Sequence, residues 1–428
     1  MELGIRREDK NKWERRTPLI PEDVKKLKEE QGINTIIQPS NIRVFSDESY
    51  KKAGAAVQED LSQCKVIFAI KEIPKDFFEE DKTYVFFSHT IKGQPYNMPM
   101  LKQMMNLGCT LIDYERIVDE NNRRLIFFGR FAGIAGMVDT LWAFGRRLKE
   151  YHGVETPFVK VKQAYQYGNV EDVKKHFQIL GEEIKRKPLP DIITPCVIGF
   201  AGYGNVSRGA QEVLDILPVV EVEPEDLKHI WSNPSNNCIY KVVFREEHMV
   251  EPVSPNQQFD LQDYYDNPGK YQSIFNKYLP YLTILMNCIY WDPRYPRLVT
   301  RRDLRELNHR LQIIGDISVD IEGAIEVTTK VTTPDNPVFT YNPDTNSVID
   351  GYNDDGVVIM AIDNLPCELP LDSSKEFSKA LSPFVPSIVK ADYSMDFDKL
   401  DLPVEVKKAV ILHKGELTPS YQYIHKFL

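Results

Sequence analysis

Two apolar runs stop abruptly at ionisable residues. CKVIFAIKEIP at 64–74 delivers Lys71 and Glu72, and YVFFSHTIKG at 84–93 delivers His89 and Lys92. Each reads as a buried strand. In open α/β sheets, ligands sit outside the carboxyl ends of the strands. A histidine titrates near neutrality unaided, and burial or a neighbouring cation brings a lysine into that range. Lys71 and His89 are therefore the first candidates for acid–base catalysis. A strand ending at a solvated surface explains either run alone equally well. A glycine-rich turn further along the chain favours the catalytic reading.

That turn is GFAGYGNVSRGA, with Gly199, Gly202, Gly204 and Gly209. Dinucleotide binding needs a tight turn, close backbone approach to a pyrophosphate and a helix N-terminus aimed at it. Gly202 and Gly204 meet the first two needs, and the third fingerprint position falls on Ser207. An apolar strand precedes the turn, and a helix and a strand follow. Cofactor contacts are expected from Gly202, Gly204, Asn205, Ser207 and Arg208. The next strand, VVEVEP, ends at Glu221 and Glu223. Glu223 stands about where an acidic residue binds a ribose 2′-hydroxyl and selects NAD. Arg208, or Arg245 further on, suits a 2′-phosphate and NADP. The residues leave both coenzymes open.

The elements that position these groups alternate strand and helix over the first 130 residues, as a parallel sheet covered by helices requires. PEDVKKLKEEQG has proline at its start, acids in its first turn and Gly32 as its stop. RLIFFGRFAGIAGMVDTLWAFGRRLKEYHG, 124–153, reads as a strand running into a long helix and as the crossing between domains. Gly129, Gly133 and Gly136 suit close packing there more than cofactor contact. A polar stretch follows to about residue 190. Residues 224–270, rich in Asp, Asn, Pro and Tyr, read as a surface insertion. YLTILMNCIYW, HRLQIIGDISVD and VVIMAIDNLPCELP are further strands, the first ending at Asn287 and Cys288. Core packing is the preferred role for Cys288.

A chain of 428 residues with 42% hydrophobic and 27% charged residues should form two domains or more. The net charge of −10 opposes nucleic acid or an anionic membrane as the main partner. The six cysteines form no CxxC, and no histidine pair has ligand spacing, so no metal is expected. The N-terminus has no signal-peptide core, and the longest apolar run carries Asp139. A cytoplasmic protein is expected. Oligomeric state is not legible.

Taken in order, IRREDKNKWERRTPL, QPSN, AIKEIP, FFSHTIKG, LIDYE, FGRFAGIAGM, GYGNVSRGAQ, NCIYW, GDISVDIEGAIE and IDNLP resemble the alanine dehydrogenase/transhydrogenase superfamily over the whole chain. Within that superfamily the chain resembles the saccharopine branch. The resemblance implies an α/β protein of two Rossmann-like domains with parallel sheets and an active-site cleft between them. The first domain, 1–135 plus 357–428, is discontinuous; the dinucleotide domain, 136–356, is inserted into it. The implied reaction joins L-lysine to 2-oxoglutarate through an imine reduced by hydride, giving saccharopine, with NADP(H) favoured and NAD(H) possible. Motif wording and the 224–270 insertion favour saccharopine formation over the lysine-forming direction. The resemblance further implies that Lys71 handles the proton on the substrate nitrogen and His89 the carbinolamine. It implies Arg16 and Arg124 as grips on substrate carboxylates. Glu72, Lys92 and Glu115 would attend the substrate amine and the charge balance, and Asp320 and Asp363 would line the cleft. Asn287 and Cys288 would lie beside the nicotinamide. Without the resemblance, surface ion pairs are the simpler reading of Arg16, Arg124, Asp320 and Asp363. A nucleotide-binding sensor without catalysis is the alternative from another class.

Overall fold

A computed structural model describes residues 1–428, which divide into two compact units: Met1–Phe128 with Pro370–Leu428, and Gly129–Leu369. The breaks therefore fall at 128/129 and 369/370, not at the expected 135/136 and 356/357. The helix Gly129–Arg146 opens at the first break and packs wholly within the second core. The strand Val357–Met360 is hydrogen-bonded into the second sheet.

The first unit is built on β1 (Glu2–Ile5), β2 (Asn34–Ile37), β3 (Ala56–Val57), β4 (Val66–Phe68), β5 (Thr83–Phe86) and β6 (Thr110–Asp113). They run parallel in the order β3-β2-β1-β4-β5-β6. Antiparallel strands Val410–His413 and Glu416–Leu417 close the edge beyond β6. The order reverses between β1 and β4, the point at which such sheets bind ligands. β4, β5 and β6 are buried at every position, as strands covered on both faces must be. The helix Pro21–Gln31 follows its sequence signals: Pro21 at N1, Glu22 and Asp23 in the first turn, and Gly32 at φ +66° taking the left-handed cap. Its Val24 and Leu27 enter the core. Phe377, Leu381, Val385 and Ile388, from the C-terminal segment, complete that core. RLIFF is not a strand; only Arg124 bridges, to Val118.

The second unit carries β7 (Cys196–Ala201), β8 (Val219–Val222), β9 (Ile239–Phe244), the antiparallel pair β10 (Val250–Pro252) and β11 (Tyr271–Ser273), β12 (Ile284–Asn287), β13 (Ile313–Asp316), β14 (Val338–Asn342), β15 (Ser347–Asp350) and β16 (Val357–Met360). The sheet order is β15-β14-β16-β13-β12-β7-β9-β8, with β14 antiparallel to both of its neighbours. The 224–270 segment is thus not only a surface insertion. It supplies β9, an interior strand hydrogen-bonded along its length to β7. The polar stretch before residue 190 contains the helix Val170–Arg186, which buries Val173, Phe177, Leu180 and Ile184.

The glycines of the crossing helix are packing residues. A Cβ on Gly133 would lie 1.9 Å from the Val206 carbonyl oxygen, and one on Gly209 would lie 2.1 Å from that of Arg130. The helix Gly129–Arg146 and the helix Asn205–Leu214 behind the glycine turn therefore meet backbone to backbone. No helix is long and apolar enough to cross a membrane.

Gly133→Ala is expected to destabilise the protein by about 1–3 kcal/mol through overpacking. Gly269→Ala, where a Cβ meets nothing within 4 Å, should stay within about 0.5 kcal/mol. Urea unfolding midpoints of the two variants check the contrast.

Candidate active site and dinucleotide turn

In the first unit, the chemistry gathers at the carboxyl ends of the strands. Lys71 and Glu72 come after β4, His89 after β5, and Glu115 after β6. Glu72 bridges two basic side chains: Oε1 meets His89 Nδ1 at 2.6 Å and Oε2 meets Lys10 Nζ at 3.1 Å. Burial works against ionising Glu72, but the bond and charge of His89, with Lys10, hold its carboxyl at about 2. His89 sits at φ +48° and stacks on Phe87, centroids 6.2 Å apart. Burial, followed by the nearby Arg16 cation, pulls the Lys71 amine below the usual lysine range; Glu14 and Glu72 oppose this.

Arg16 does not present an open clamp for a substrate carboxylate. It is 2% exposed, its Nε and Nη2 donate to Glu14 at 2.7 and 2.5 Å, and it stacks on Phe128 at 4.1 Å. Arg124 is half exposed and ion-paired with Glu115. Lys92 is exposed on the turn after His89. Sequence reasoning passed over two acids here, Glu8 and Glu14. Glu8 lies just past the end of β1 and accepts backbone N–H groups from Ile70 and Lys71. The signal was present: both acids lie in the charged run that contains Arg16.

In the second unit, the glycine turn connects β7 to the helix Asn205–Leu214. Gly202 has φ +92°, and a Cβ there would press on Ile289 and the Cys288 carbonyl. Gly204 is the helix N-cap, with nothing within 4 Å of a Cβ position. This bare turn before a helix N-terminus fits a dinucleotide pyrophosphate. Asn205 and Arg208 are exposed on the first turn. Ser207 is fully buried, accepting from Gln211 Nε2 at 2.9 Å, so it packs inward while Gly209 makes the close helix contact.

Glu223 is not at the ribose position. It comes after β8, the outermost strand, and β9 lies between β8 and β7. Glu221, on the same strand, pairs with Lys241 at 2.8 Å. The residues at the end of the strand beside the glycine turn are Arg245 and Glu246. Arg245 lies over the Tyr203 ring at 5.3 Å. Glu246 accepts from Tyr265 Oη at 2.7 Å and lines a cavity of about 300 Å³ with Gly202, Gly204, Tyr264, Cys288 and Tyr295. That cavity opens between the ends of β7 and β12, where this sheet order reverses. Burial pushes the Cys288 thiol well above its usual range, which keeps it uncharged and unreactive. Asn287 is turned to Asp316, donating at 2.8 Å. Burial pushes Asp316 up to about 6, against bonds from Thr328 and Asn287. Asp320 and Asp363 are exposed in the loops after β13 and β16.

Fold and site together define a class: two Rossmann-like units, one with a glycine turn that fits a dinucleotide and one with a cluster of ionisable side chains at its strand ends. Residues 4–135 match the family described as alanine dehydrogenase/PNT, N-terminal domain, and residues 292–420 match its C-terminal domain. The chain belongs to the alanine dehydrogenase/PNT family. It is 39% identical over 442 residues to the alpha-aminoadipic semialdehyde synthase of Arabidopsis thaliana, covering 99% of this chain and 41% of that protein. Against the mitochondrial alpha-aminoadipic semialdehyde synthase of Rattus norvegicus it is 37% identical, covering 99% and 47%. The chain thus spans less than half the length of these relatives. A lysine-forming, NAD(+) saccharopine dehydrogenase of Emericella nidulans is 25% identical over 86% of this chain and 88% of its own. Among solved structures, an L-alanine dehydrogenase superposes with TM-score 0.62 at 18% identity, covering 100% of this chain and 99% of that one.

The Glu72 pairing makes a pH prediction. A carboxyl held at about 2 in the fold and near 4.5 in the unfolded chain adds stability that is complete above pH 4.5 and lost as pH falls towards 2. Glu72→Gln should therefore lower stability at neutral pH and flatten the acid limb of a stability–pH curve, measured by urea unfolding at stepped pH.

Proposed function

We propose that the chain is a lysine–2-oxoglutarate reductase, condensing the ε-amine of L-lysine with the ketone of 2-oxoglutarate and forming saccharopine with oxidation of NADPH. The observation that carries this is the acid–base cluster at the switch point of the first sheet. There a lysine amine of lowered basicity stands beside a Glu72–His89 pair. Likeness to the aminoadipic semialdehyde synthases over 99% of the chain supports the substrate assignment. A cytoplasmic location belongs to the same proposal, although the mammalian relatives are named as mitochondrial.

Lys71 takes the proton that must leave the substrate ammonium before the nitrogen attacks the ketone. His89, bonded to Glu72 through Nδ1, keeps Nε2 for the carbinolamine oxygen, which leaves as water once protonated. The nicotinamide coenzyme, when bound, supplies the hydride that reduces the resulting imine. Gly202, Gly204, Asn205 and Arg208 would hold its pyrophosphate. Arg16, already engaged by Glu14, acts on Lys71 through its charge, so substrate carboxylates fall to Arg124 and Lys92. Glu115 balances Arg124, and Asp320 and Asp363 are proposed polar contacts at the ends of β13 and β16.

The coenzyme preference rests on Arg245, which stands after the strand beside the glycine turn and suits a 2′-phosphate. Glu246, one residue on and lining the same cavity, favours a second reading: an NAD-dependent enzyme working in the lysine-forming direction.

NADPH oxidation should require lysine and 2-oxoglutarate together. Lys71→Met and His89→Gln should each lower kcat by about 100-fold or more; a variant near wild-type rate would remove that residue from the acid–base role. Turnover with NADH alone would favour the second reading. Arg245→Ala should raise KM for NADPH by about 10- to 100-fold and leave KM for NADH within about twofold. An equal effect on both coenzymes would place Arg245 outside the 2′-phosphate site.

A further inference from the structure

The proposed reaction leaves three buried acids of the first unit unused, and Asp113 among them is taken up by Ser88 and the Glu115 N–H. Glu14 is held by Arg16, whereas Glu8, 6% exposed, is engaged by backbone. Glu8 Oε1 accepts the N–H of Ile70 at 2.6 Å, and Oε2 accepts the N–H of Lys71 at 3.0 Å. The ladder between β1 and β4 pairs Leu3, Gly4 and Ile5 with Val66, Ile67 and Phe68, and ends with Arg6 N–H on the Phe68 carbonyl at 2.9 Å. The Ile70 and Lys71 donors lie beyond that end. One carboxylate therefore takes over from the ladder at the fork between the two strands that flank the switch point.

We propose that Glu8 is a positioning residue for Lys71: its carboxylate clasps the strand end that carries the lysine, and protonation of Glu8 releases that clasp. The proposal rests on Lys71 being the base of the reaction. A carboxylate offers both oxygens as acceptors, while a carboxylic acid turns one into an O–H donor. The groups facing Glu8 are Arg6 from its own strand end, Glu14 from the following loop, the Ile70 and Lys71 amides, and Tyr114 from beyond β6. The Tyr114 hydroxyl, which feels the Glu8 charge, is buried without a hydrogen-bond partner. Burial, then the Glu14 charge, pushes Glu8 up to about 7, against the two amides and Arg6. The clasp therefore opens and closes in the pH range where such a reaction runs.

The test pairs a readout that needs no substrate with one that does. Lys71 in the full chain is labelled with acetic anhydride from about pH 5 to pH 10 and quantified by mass spectrometry against exposed Lys379. Wild type should show an inflection near neutrality in addition to the amine's own titration, and Glu8→Gln should lose it. In parallel, Glu8→Gln should lower kcat by about tenfold or more while KM for coenzyme stays within about twofold. Glu8→Asp keeps the charge but cannot span both amides; it should keep an inflection, displaced, without recovering the rate. A Glu8→Gln labelling curve and kcat–pH profile matching wild type would overturn the proposal. If Glu8→Gln does not fold, Glu8→Asp decides: a displaced inflection supports the clasp, and an unchanged curve with unchanged rate overturns it. If wild type turned over no amino acid–keto acid pair, the reductase reading would fall, while the labelling comparison would still decide the role of Glu8.

Discussion

The interaction on which the acid–base cluster depends is the ion pair of Glu14 with Arg16, closed off from water at 0% and 2% exposure. Such pairs gain little net stability, because desolvating two charges offsets most of their attraction, but losing one partner strands the other in the interior. Two parallel hydrogen bonds and the Phe128 ring beneath the guanidinium fix the geometry. The fixed charges are then felt on both sides. Arg16 lowers the proton affinity of Lys71, and Glu14 raises that of Glu8. Burial is the larger cause at both groups, and the pair adds to it: Arg16 outweighs the opposing Glu14 at Lys71, and Glu14 reinforces burial at Glu8.

The two units solve different problems with one topology. In each sheet the first strand has its sequence successors on one side and later strands on the other, so a crevice opens at its carboxyl end. In the first unit the crevice receives ionisable side chains from four strand ends, the groups that the proposed acid–base chemistry uses. In the second it receives glycines, a helix N-terminus and tyrosines, the lining that the proposed dinucleotide site requires. The difference lies in the residues just past the strand ends: Glu8, Lys71, His89 and Glu115 in one unit, Gly202, Glu246 and Cys288 in the other.

Much of this was legible because strands buried on both faces read as continuous apolar runs, and their last residues stand out against them. Lys71, His89 and the glycine turn were found in that way. Strand order was not legible. The strand after the glycine helix is β8, and local sequence cannot reveal that β9 is inserted between it and β7; this displaced Glu223 from the ribose position and hid Glu246. The strand IYKVVF was itself concealed by its Asp-, Asn- and Tyr-rich surroundings. The helix Val170–Arg186 had a signal, apolar residues at 173, 177, 180 and 184, diluted by eight charged residues among its seventeen. Glu8 escaped for a different reason: its partners are backbone amides, which leave no trace in side-chain chemistry.

His89 shows how the scaffold pays for its chemistry. A non-glycine residue at φ +48° costs on the order of 1–3 kcal/mol and persists only where its neighbours over-determine it. Here they do. Ser88, directly before it, donates its N–H to the buried Asp113 at 3.0 Å. Asn97 donates to the His89 carbonyl at 3.2 Å, Glu72 holds Nδ1, and Phe87 lies nearly parallel to the ring at 15°. The left-handed turn bends the chain back so that a side chain from the end of β5 meets one from the end of β4. An extended residue would carry the ring onward along the strand. With Nδ1 committed to Glu72, the imidazole is left with one nitrogen for the proton transfer proposed for it, and its direction is set by the carboxylate rather than by rotation of the ring.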